Sequence, residues 1–200
     1  MIPAVGQPAN SLSRRDVLTG VILRIVAERG LDRVSVRQVA SASGVSIGTV
    51  QHYFPTKEAM LIAAFTEVVC RIRARVAAVE LGSDVRANLS AVLRELLPLD
   101  AVRTEEVRIQ VAFAARAVTD PSLAATQRDT LGEITTELAD AFALASAGRT
   151  SSEYCSLAAH LALAAADGLA LHAVSSGGGS PAGELTSALD YLLNLLVTER

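Results

Sequence analysis

Residues 35–57 read SVRQVASASGVSIGTVQHYFPTK, and this stretch decides the fold of the first part of the chain. Ser35, with a glutamine three residues on, forms a capping box that predicts a helix start, and Gly44 predicts the end of that helix. Ser46 is the N-cap of a second short helix, which Pro55 ends because proline pushes the preceding residue out of the helical region. Two short helices joined by a tight turn are typical of a helix-turn-helix, whose second helix enters the major groove of DNA.

The second helix of this pair, predicted over 47–54, has two different faces. At 100° per residue its large apolar side chains share one face, so we expect that face to pack inward. The other face is small, hydrogen-bonding and aromatic, which suits contacts to base edges and phosphates. The inward set is Ile47, Val50 and Phe54; the outward set is Gly48, Thr49, His52 and Tyr53, with Gln51 on the flank.

Lys57 is the only lysine in the sequence, and it falls in the first turn of the helix that Thr56 caps. A cation there costs about 0.3–1 kcal/mol against the helix dipole, and a bound anion would reverse that sign. Free N–H groups at a helix start, together with one ammonium, form a phosphate-binding arrangement. We therefore expect Thr56 and Lys57 to fix the register of the protein on the DNA backbone.

The spaced residues of this region closely resemble the DNA-binding domain of the tetracycline-repressor (TetR) family of bacterial regulators. The resemblance lies in GLDRVSVRQVA at 30–40, SGVSIGTV at 43–50 and HYFPTKEAML at 52–61. It implies a three-helix DNA-binding domain attached to a larger helical domain that dimerises and binds a small effector.

The resemblance also implies roles for individual residues. Val36 and Arg37 would open the supporting helix near the DNA, and Lys57 would hold a phosphate. Gln51 departs from the family pattern, in which many members carry tyrosine, so the contact at this position is not carried over. The predicted DNA-binding residues are Ser35, Val36, Arg37, Ser46, Gly48, Thr49, Gln51, His52, Tyr53, Thr56 and Lys57.

Composition indicates an ordered helical protein. The 200 residues are 50% hydrophobic with a mean hydropathy of +0.37, which excludes a disordered chain. Aromatic residues are few and no alternating strand pattern occurs, so we expect an all-α fold. Cys70 and Cys155 lie in apolar runs without metal-ligand spacing and are interpreted as reduced packing residues. Residues 1–80 carry a net charge of +4 and residues 81–200 a net charge of −7, as expected for nucleic-acid binding at one end.

The predicted organisation is a flexible arm at 1–13, a helix-turn-helix domain at 14–60 and a helical domain at 81–200. Helix 4, predicted over 57–80, links the two domains, and about nine helices are expected in total. The arm lacks the pattern of a signal peptide, which predicts a cytoplasmic protein. Arg14 and Arg15, just before helix 1, either reach phosphates or are solvated.

The last two helices are predicted from about 151 and 181. The first of them is apolar on every side and must be covered all round, and the leucines of the second cover more than one core stripe. Packing of these two helices against their two-fold copies would bury the excess apolar surface in a four-helix dimer interface. The alternative is that the surface is buried in a large core within a monomer. A membrane span is not expected, because polar residues interrupt the apolar run. The expected interface residues are Ala164, Asp167, Gly168, Leu171, Leu189 and Leu193.

Polar residues on otherwise apolar helix stripes predict a small-molecule effector pocket within helices 4–8. Mutual hydrogen bonds or buried waters are the alternative explanation for them. The predicted pocket residues are Gln110, Phe113, Gln127, Thr135, Phe142 and His160.

Catalytic and metal-binding patterns are not recognisable in the sequence, and no cofactor is expected. The leading hypothesis is a dimeric, ligand-responsive transcriptional repressor that binds double-stranded DNA. The alternative is an all-helical enzyme or binding module in which His160 and Asp167 act together, because these two residues project to nearly the same face of one helix.

Overall fold

The computed structural model describes residues 13–146, 149–176 and 181–197, which form an all-α protein as predicted. The chain divides into two compact units between Ala64 and Phe65. The predicted arm at 1–13, apart from Ser13, lies outside the described residues. The helices are α1 (Arg14–Arg29), α2 (Val36–Ser43), α3 (Ile47–Tyr53), α4 (Lys57–Ala77), α5 (Val85–Arg94), α6 (Ala101–Ala117), α7 (Pro121–Ala145), α8 (Ser152–Ser175) and α9 (Ala182–Leu196).

The sequence predicts helix 1 from about Asp16 and helix 6 from about Thr104. Both begin earlier in the structure, and in both cases the N-cap explains the difference. Ser13 and Asp16 form a complete capping box, so α1 includes Arg14 and Arg15 in its first turn. The Asp100 carboxylate accepts from the backbone N–H of Arg103 at 2.8 Å, which starts α6 at Ala101 rather than near residue 104.

The first unit is held together by a small apolar core. The apolar stripe predicted for α1 is buried, and α2 packs on both α1 and α3. Phe54, which follows α3, is completely buried. The other completely or almost completely buried side chains of this unit are Leu18, Ile22, Val34, Val39, Val50, Met60, Leu61 and Ala64.

The second unit has a core rich in leucine and alanine, to which α5, α7, α8 and α9 contribute. Small side chains such as Ala159 and Ala162 are fully buried along α8, and they let neighbouring helices approach closely. The Tyr154 hydroxyl donates to the Leu196 carbonyl at 2.9 Å, which ties the start of α8 to the end of α9.

Among the described helices, α8 alone is long and apolar enough to cross a membrane by length and composition. The same test is passed by core helices of soluble proteins, so it is weak evidence. Because one face of α8 is buried against other helices of its unit, the chain itself supplies a packing partner for this apolar surface.

The structure corrects three assignments of apolar residues. Cys155 is buried, as predicted, but Cys70 is exposed on α4. Leu189 and Leu193, which we expected in a dimer interface, are 0% exposed within the single chain and belong to its core. An interface and a core are equally dry, so an apolar pattern does not distinguish them.

A partly buried ion-pair network joins α4 to the segment after α5 and to α6 within the second unit. Arg75 donates to both oxygens of Glu106, at 3.2 and 2.7 Å, and to Glu95 at 2.9 Å. Arg103 extends the network to Glu95 at 3.3 Å. Glu106 is buried, so its negative charge depends on this bidentate partner.

Candidate functional site

The predicted helix-turn-helix is formed by α2 and α3, and both N-caps are present. The Ser35 hydroxyl accepts from the backbone N–H of Gln38 at 3.3 Å, and the Ser46 hydroxyl accepts from the backbone N–H of Thr49 at 3.0 Å. Gly44 ends α2 in the left-handed conformation, with φ of 68°. The capping box of α2 is only half formed, because Gln38 Oε1 is buried without a hydrogen-bond partner in the described structure.

The predicted DNA-binding face of α3 is solvent-accessible. Gly48, Gln51 and His52 are exposed, while Thr49 and Tyr53 are half-buried. The His52 and Tyr53 rings pack edge to face with centroids 5.1 Å apart, so each limits the positions of the other. The remaining predicted residues on this surface, Ser35, Val36, Arg37, Ser46, Thr56 and Lys57, are exposed or half-buried.

Ile47 does not lie on the buried face of α3, where the sequence predicted it. It is 48% exposed, whereas Val50 and Phe54 are completely buried. Ile47 stands at the first position of a seven-residue helix. An exposed isoleucine therefore joins the polar face, where it can meet the methyl group of a thymine.

Gly48 is exposed, and little of the protein surrounds it. A Cβ built there meets only the Ser46 hydroxyl, at 3.8 Å, which is ordinary van der Waals contact. The packing of this chain therefore does not require a glycine at position 48. A close approach by another molecule supplies a reason for its small size.

The Lys57 ammonium is positioned by a contact that the sequence did not suggest. Its Nζ donates to the backbone carbonyl of Asp32 at 3.2 Å, in the 3₁₀ turn formed by Leu31–Arg33 between α1 and α2. An ammonium has three donors, so donors remain for a phosphate. Because the Asp32 carbonyl is 25 residues away in the chain, no sequence pattern predicts this contact.

Arg14 and Arg15 are exposed in the first turn of α1. The Arg15 guanidinium lies 5.4 Å from the centroid of the Phe54 ring, a cation–π contact that connects α1 to the end of α3. Arg15 therefore has a structural partner, and the earlier choice between phosphate contact and simple solvation omitted this third role.

The second unit contains two adjoining cavities that are lined mainly by apolar side chains. The first, the α5 cavity, has a volume of about 340 Å³ and is bounded by α4, α5, α6 and α7. The second, the α8 cavity, has a volume of about 430 Å³ and is bounded by α4, α6, α7 and α8. Both volumes are in the range of small-molecule sites. The two cavities share Val69, Leu96, Gln110 and Ile134.

Asp167, which we expected in the dimer interface, lines the α8 cavity. Its side chain is exposed, and the cavity wall beside it consists largely of Leu, Val and Ala side chains. Desolvation by these surroundings raises the pKa of Asp167 to about 6. The Asp167 carboxylate is thus the strongest hydrogen-bond acceptor in the cavity wall.

Four of the six predicted pocket residues do line cavities. Gln110 lines both cavities described above, and Gln127 lines the α8 cavity. Gln127, Thr135 and His160 line a third cavity, of about 520 Å³, beside α7. His160 and Asp167 therefore face different cavities.

Phe113 and Phe142 are corrections to the predicted pocket. Phe113 is buried and stacks on Phe65, with ring centroids 4.1 Å apart. Phe142 belongs to the leucine-rich core. Neither ring is among the residues lining these three cavities. Large aromatic side chains fill space in a core, so their presence on an apolar stripe did not distinguish a cavity wall from packing.

A set of exposed apolar residues, here called the stripe, lies on α8 and α9. It contains Leu157, Leu161, Ala164 and Leu171 on α8 and Tyr191 and Leu195 on α9. Five of the eleven exposed large hydrophobic side chains in the described residues lie on these two helices. Monomeric proteins rarely expose such contiguous apolar surface.

Both parts of the chain match known families. A model for bacterial regulatory proteins of the tetR family matches residues 19–64, and a model for the C-terminal part of BetI-type transcriptional repressors matches residues 85–198. The regulator BetI of Burkholderia cenocepacia (strain HI2424) is 30% identical over 93% of this chain and 95% of its own length. BetI of Rhizobium meliloti is 31% identical over 105 residues, which span about half of each protein.

A solved structure agrees with these sequence matches. The crystal structure of a transcriptional regulator from Rhodococcus sp. Rha1 has 40% sequence identity and a TM-score of 0.83, and the match covers 92% of this chain and 96% of that one. These relatives are not enzymes, and the described residues contain no metal-binding cluster of His, Cys, Asp and Glu. The enzyme hypothesis based on His160 and Asp167 is not supported.

Proposed function

The chain belongs to the TetR family of bacterial transcriptional regulators, and we propose that it acts as a cytoplasmic, dimeric repressor that a small molecule releases from a palindromic operator. The observation that carries the DNA-binding part is the exposed face of α3, where the residue without a side chain, Gly48, is not required by the protein's own packing. Thr49, Gln51, His52 and Tyr53 complete that face, and Lys57 stands at the start of the next helix.

Gln51 and Lys57 contribute differently to DNA binding. Gln51 carries a side-chain amide that pairs with base edges, which gives sequence preference. Lys57 and the free N–H groups at the start of α4 bind phosphate, which gives affinity without sequence preference. The contact of Lys57 with the Asp32 carbonyl holds the ammonium close to this helix start.

We expect Lys57→Ala to weaken binding to all duplexes and to reduce the slope of log K against log salt by about 1. Gln51→Ala should instead change the preference at particular base pairs, by about 1–3 kcal/mol each. Fluorescence anisotropy with a selected operator and a scrambled duplex, at several salt concentrations, measures both quantities. Equal salt slopes for the wild type and both variants would contradict the assignment.

The exposed stripe on α8 and α9 supports a homodimer. Two copies related by a two-fold axis would cover this stripe with four helices, and two DNA-binding units would then meet two half-sites. The interface we propose consists of Leu157, Leu161, Ala164, Gly168 and Leu171 on α8 with Tyr191 and Leu195 on α9. Leu189 and Leu193 are excluded from it by their burial.

The adjoining α5 and α8 cavities support an effector site. Val69 of α4 lines both cavities, Ile72 and Val76 line the α5 cavity, and the same helix begins at Lys57. A ligand that favours a conformation with low operator affinity by about 3 kcal/mol would reduce DNA binding about 150-fold.

A thermal-shift screen with apolar and cationic compounds, followed by operator release, tests the coupling. We expect compounds that raise the melting temperature to lower operator affinity. If every stabilising compound leaves the DNA affinity unchanged, the cavities bind ligands but do not regulate DNA binding.

A further inference from the structure

Asp167 is the one charged side chain among the described residues that line the α8 cavity. The cavity wall from α4 consists of Phe65 and Val69, and the walls from α6 and α7 contribute apolar residues with Gln110, Gln127 and Thr130. No basic residue on this wall pairs with the carboxylate. A carboxylate beside an apolar wall is partly desolvated, and a positive charge that reaches it offsets that cost.

A second acceptor in the same cavity is also without a partner. Gln127 Oε1 is buried and has no hydrogen-bond partner within the described structure. An unsatisfied buried acceptor destabilises the protein, and a ligand donor would remove that cost. Asp167 and Gln127 can thus both accept hydrogen bonds from a ligand, and Asp167 also favours a positive charge.

The adjoining α5 cavity provides space for an apolar tail. Val69, Leu96, Gln110 and Ile134 stand between the two cavities, and three of these four side chains are apolar. The charged groups of the α5 cavity are already paired: Arg73 lies 2.7 Å from Glu133 and 3.4 Å from Glu137. The remaining wall is mostly Val, Leu and Ile.

We propose that the effector is an elongated apolar molecule with one protonated amine, whose ammonium donates to Asp167 and Gln127 and whose tail extends past Gln110 into the α5 cavity. This inference rests on the proposed function, because it specifies the ligand class of the same site. It also separates the amine from three related classes of compound.

We expect the three other classes of compound to bind more weakly than the amine. A fatty carboxylate brings a second negative charge toward Asp167, which is repulsive. An alcohol of equal length fills the same space but supplies no positive charge. A quaternary ammonium has no N–H to donate, and the aromatic cage that would favour it is not present, because Phe65 is the single aromatic residue in the described wall of the α8 cavity.

The test is isothermal titration calorimetry of the full-length protein with dodecylamine, dodecanol, dodecanoate and dodecyltrimethylammonium, each below its aggregation concentration. We expect dodecylamine to bind at least tenfold more tightly than the other three at pH 7.5. Shortening the amine by one methylene should weaken binding about fourfold, the factor that corresponds to about 0.8 kcal/mol.

Asp167→Asn is the decisive variant. It should lower the affinity for dodecylamine at least tenfold and leave the affinity for dodecanol within twofold. Thr136→Asn, on the exposed side of α7, is the matched control and should change neither affinity. If Asp167→Asn binds dodecylamine as tightly as the wild type does, or if the alcohol binds as tightly as the amine, the inference is overturned.

The folding of Asp167→Asn is checked by its own melting curve. Because burial raises the pKa of Asp167 to about 6, the charged form disfavours the folded state. That penalty is complete above pH 6 and fades as the pH falls from 6 toward 4. The variant should therefore melt at a higher temperature than the wild type at pH 8 and at a similar temperature near pH 4.

Binding of the amine should follow the same titration. Dodecylamine keeps its charge throughout this range, and His160, Arg128, Arg73 and Glu137 line neighbouring cavities rather than this one. We expect amine affinity to fall as the pH drops from 7.5 to 5, while dodecanol affinity stays constant. Affinity for the amine that does not change over this range would contradict the role of Asp167.

The experiment separates this inference from the function on which it rests. If the amine binds through Asp167 but leaves operator affinity unchanged, the ligand class stands and the regulatory role fails. If a neutral or anionic compound releases the operator and the amine does not bind, the repressor function stands and the ligand class fails.

Discussion

Replacing Ala164 by arginine is expected to give a folded monomer that has lost nearly all operator affinity. Ala164 is exposed in the centre of the apolar stripe on α8, so an arginine there fits the single chain but places a charge in a dry dimer interface. The cost is several kcal/mol, because the buried charge has no partner. Separation of the two DNA-binding units should then reduce operator affinity by a factor on the order of 10²–10⁴.

Sedimentation velocity at micromolar concentration and anisotropy with the operator measure the two effects. Thr136→Arg places the same charge on the exposed side of α7 and should remain dimeric. Leu193→Arg is a contrasting variant, because Leu193 is part of the core of the single chain and its replacement should unfold the second unit. A monomeric wild type, or a dimeric Ala164→Arg, would refute the proposed interface.

Glu106→Ala is expected to cause the largest loss of stability among replacements of charged residues in the second unit. The change leaves Arg75 without its bidentate partner in a partly buried position, although Glu95 still contacts it at 2.9 Å. Breaking a buried pair costs about 3–5 kcal/mol, and the remaining carboxylate places the expected loss near the lower limit. For a protein of this size, that corresponds to a fall in melting temperature of roughly 6–12 °C.

Arg71→Ala is the control for Glu106→Ala. Arg71 pairs with Glu67 at 2.9 Å, but both side chains are largely exposed, so this change should cost less than about 1 kcal/mol. Chemical denaturation followed by circular dichroism measures both variants. Similar losses in the two variants would show that burial does not determine the strength of the Arg75 network.

Local sequence signals predicted the helices of the first unit well, because capping residues act within a few positions of themselves. Ser35, Ser46 and Gly44 have the predicted roles, and Ser151 starts the expected helix in the second unit. The main errors in helix starts came from Ser13 and Asp100, whose capping function was overlooked although it is local.

Contacts between residues far apart in the chain could not be predicted from the sequence. The bond between Lys57 and the Asp32 carbonyl and the pairing of Arg75 with Glu106 join residues from different helices or turns, and no periodicity encodes them. Apolar patterns showed that residues avoid water, but they did not indicate what covers them. For this reason Leu193 was assigned to an interface and Phe142 to a pocket, although both are in the core.

The contact between Lys57 and Asp32 has an entropic consequence for DNA binding. A lysine side chain loses about 1.5–2 kcal/mol of rotamer freedom when it is fixed in one position. Because the Asp32 carbonyl already holds the ammonium in the free protein, part of that loss is incurred during folding. A phosphate that meets Lys57 therefore meets a side chain with few conformations left to lose, and the entropy of association at this position is correspondingly less unfavourable.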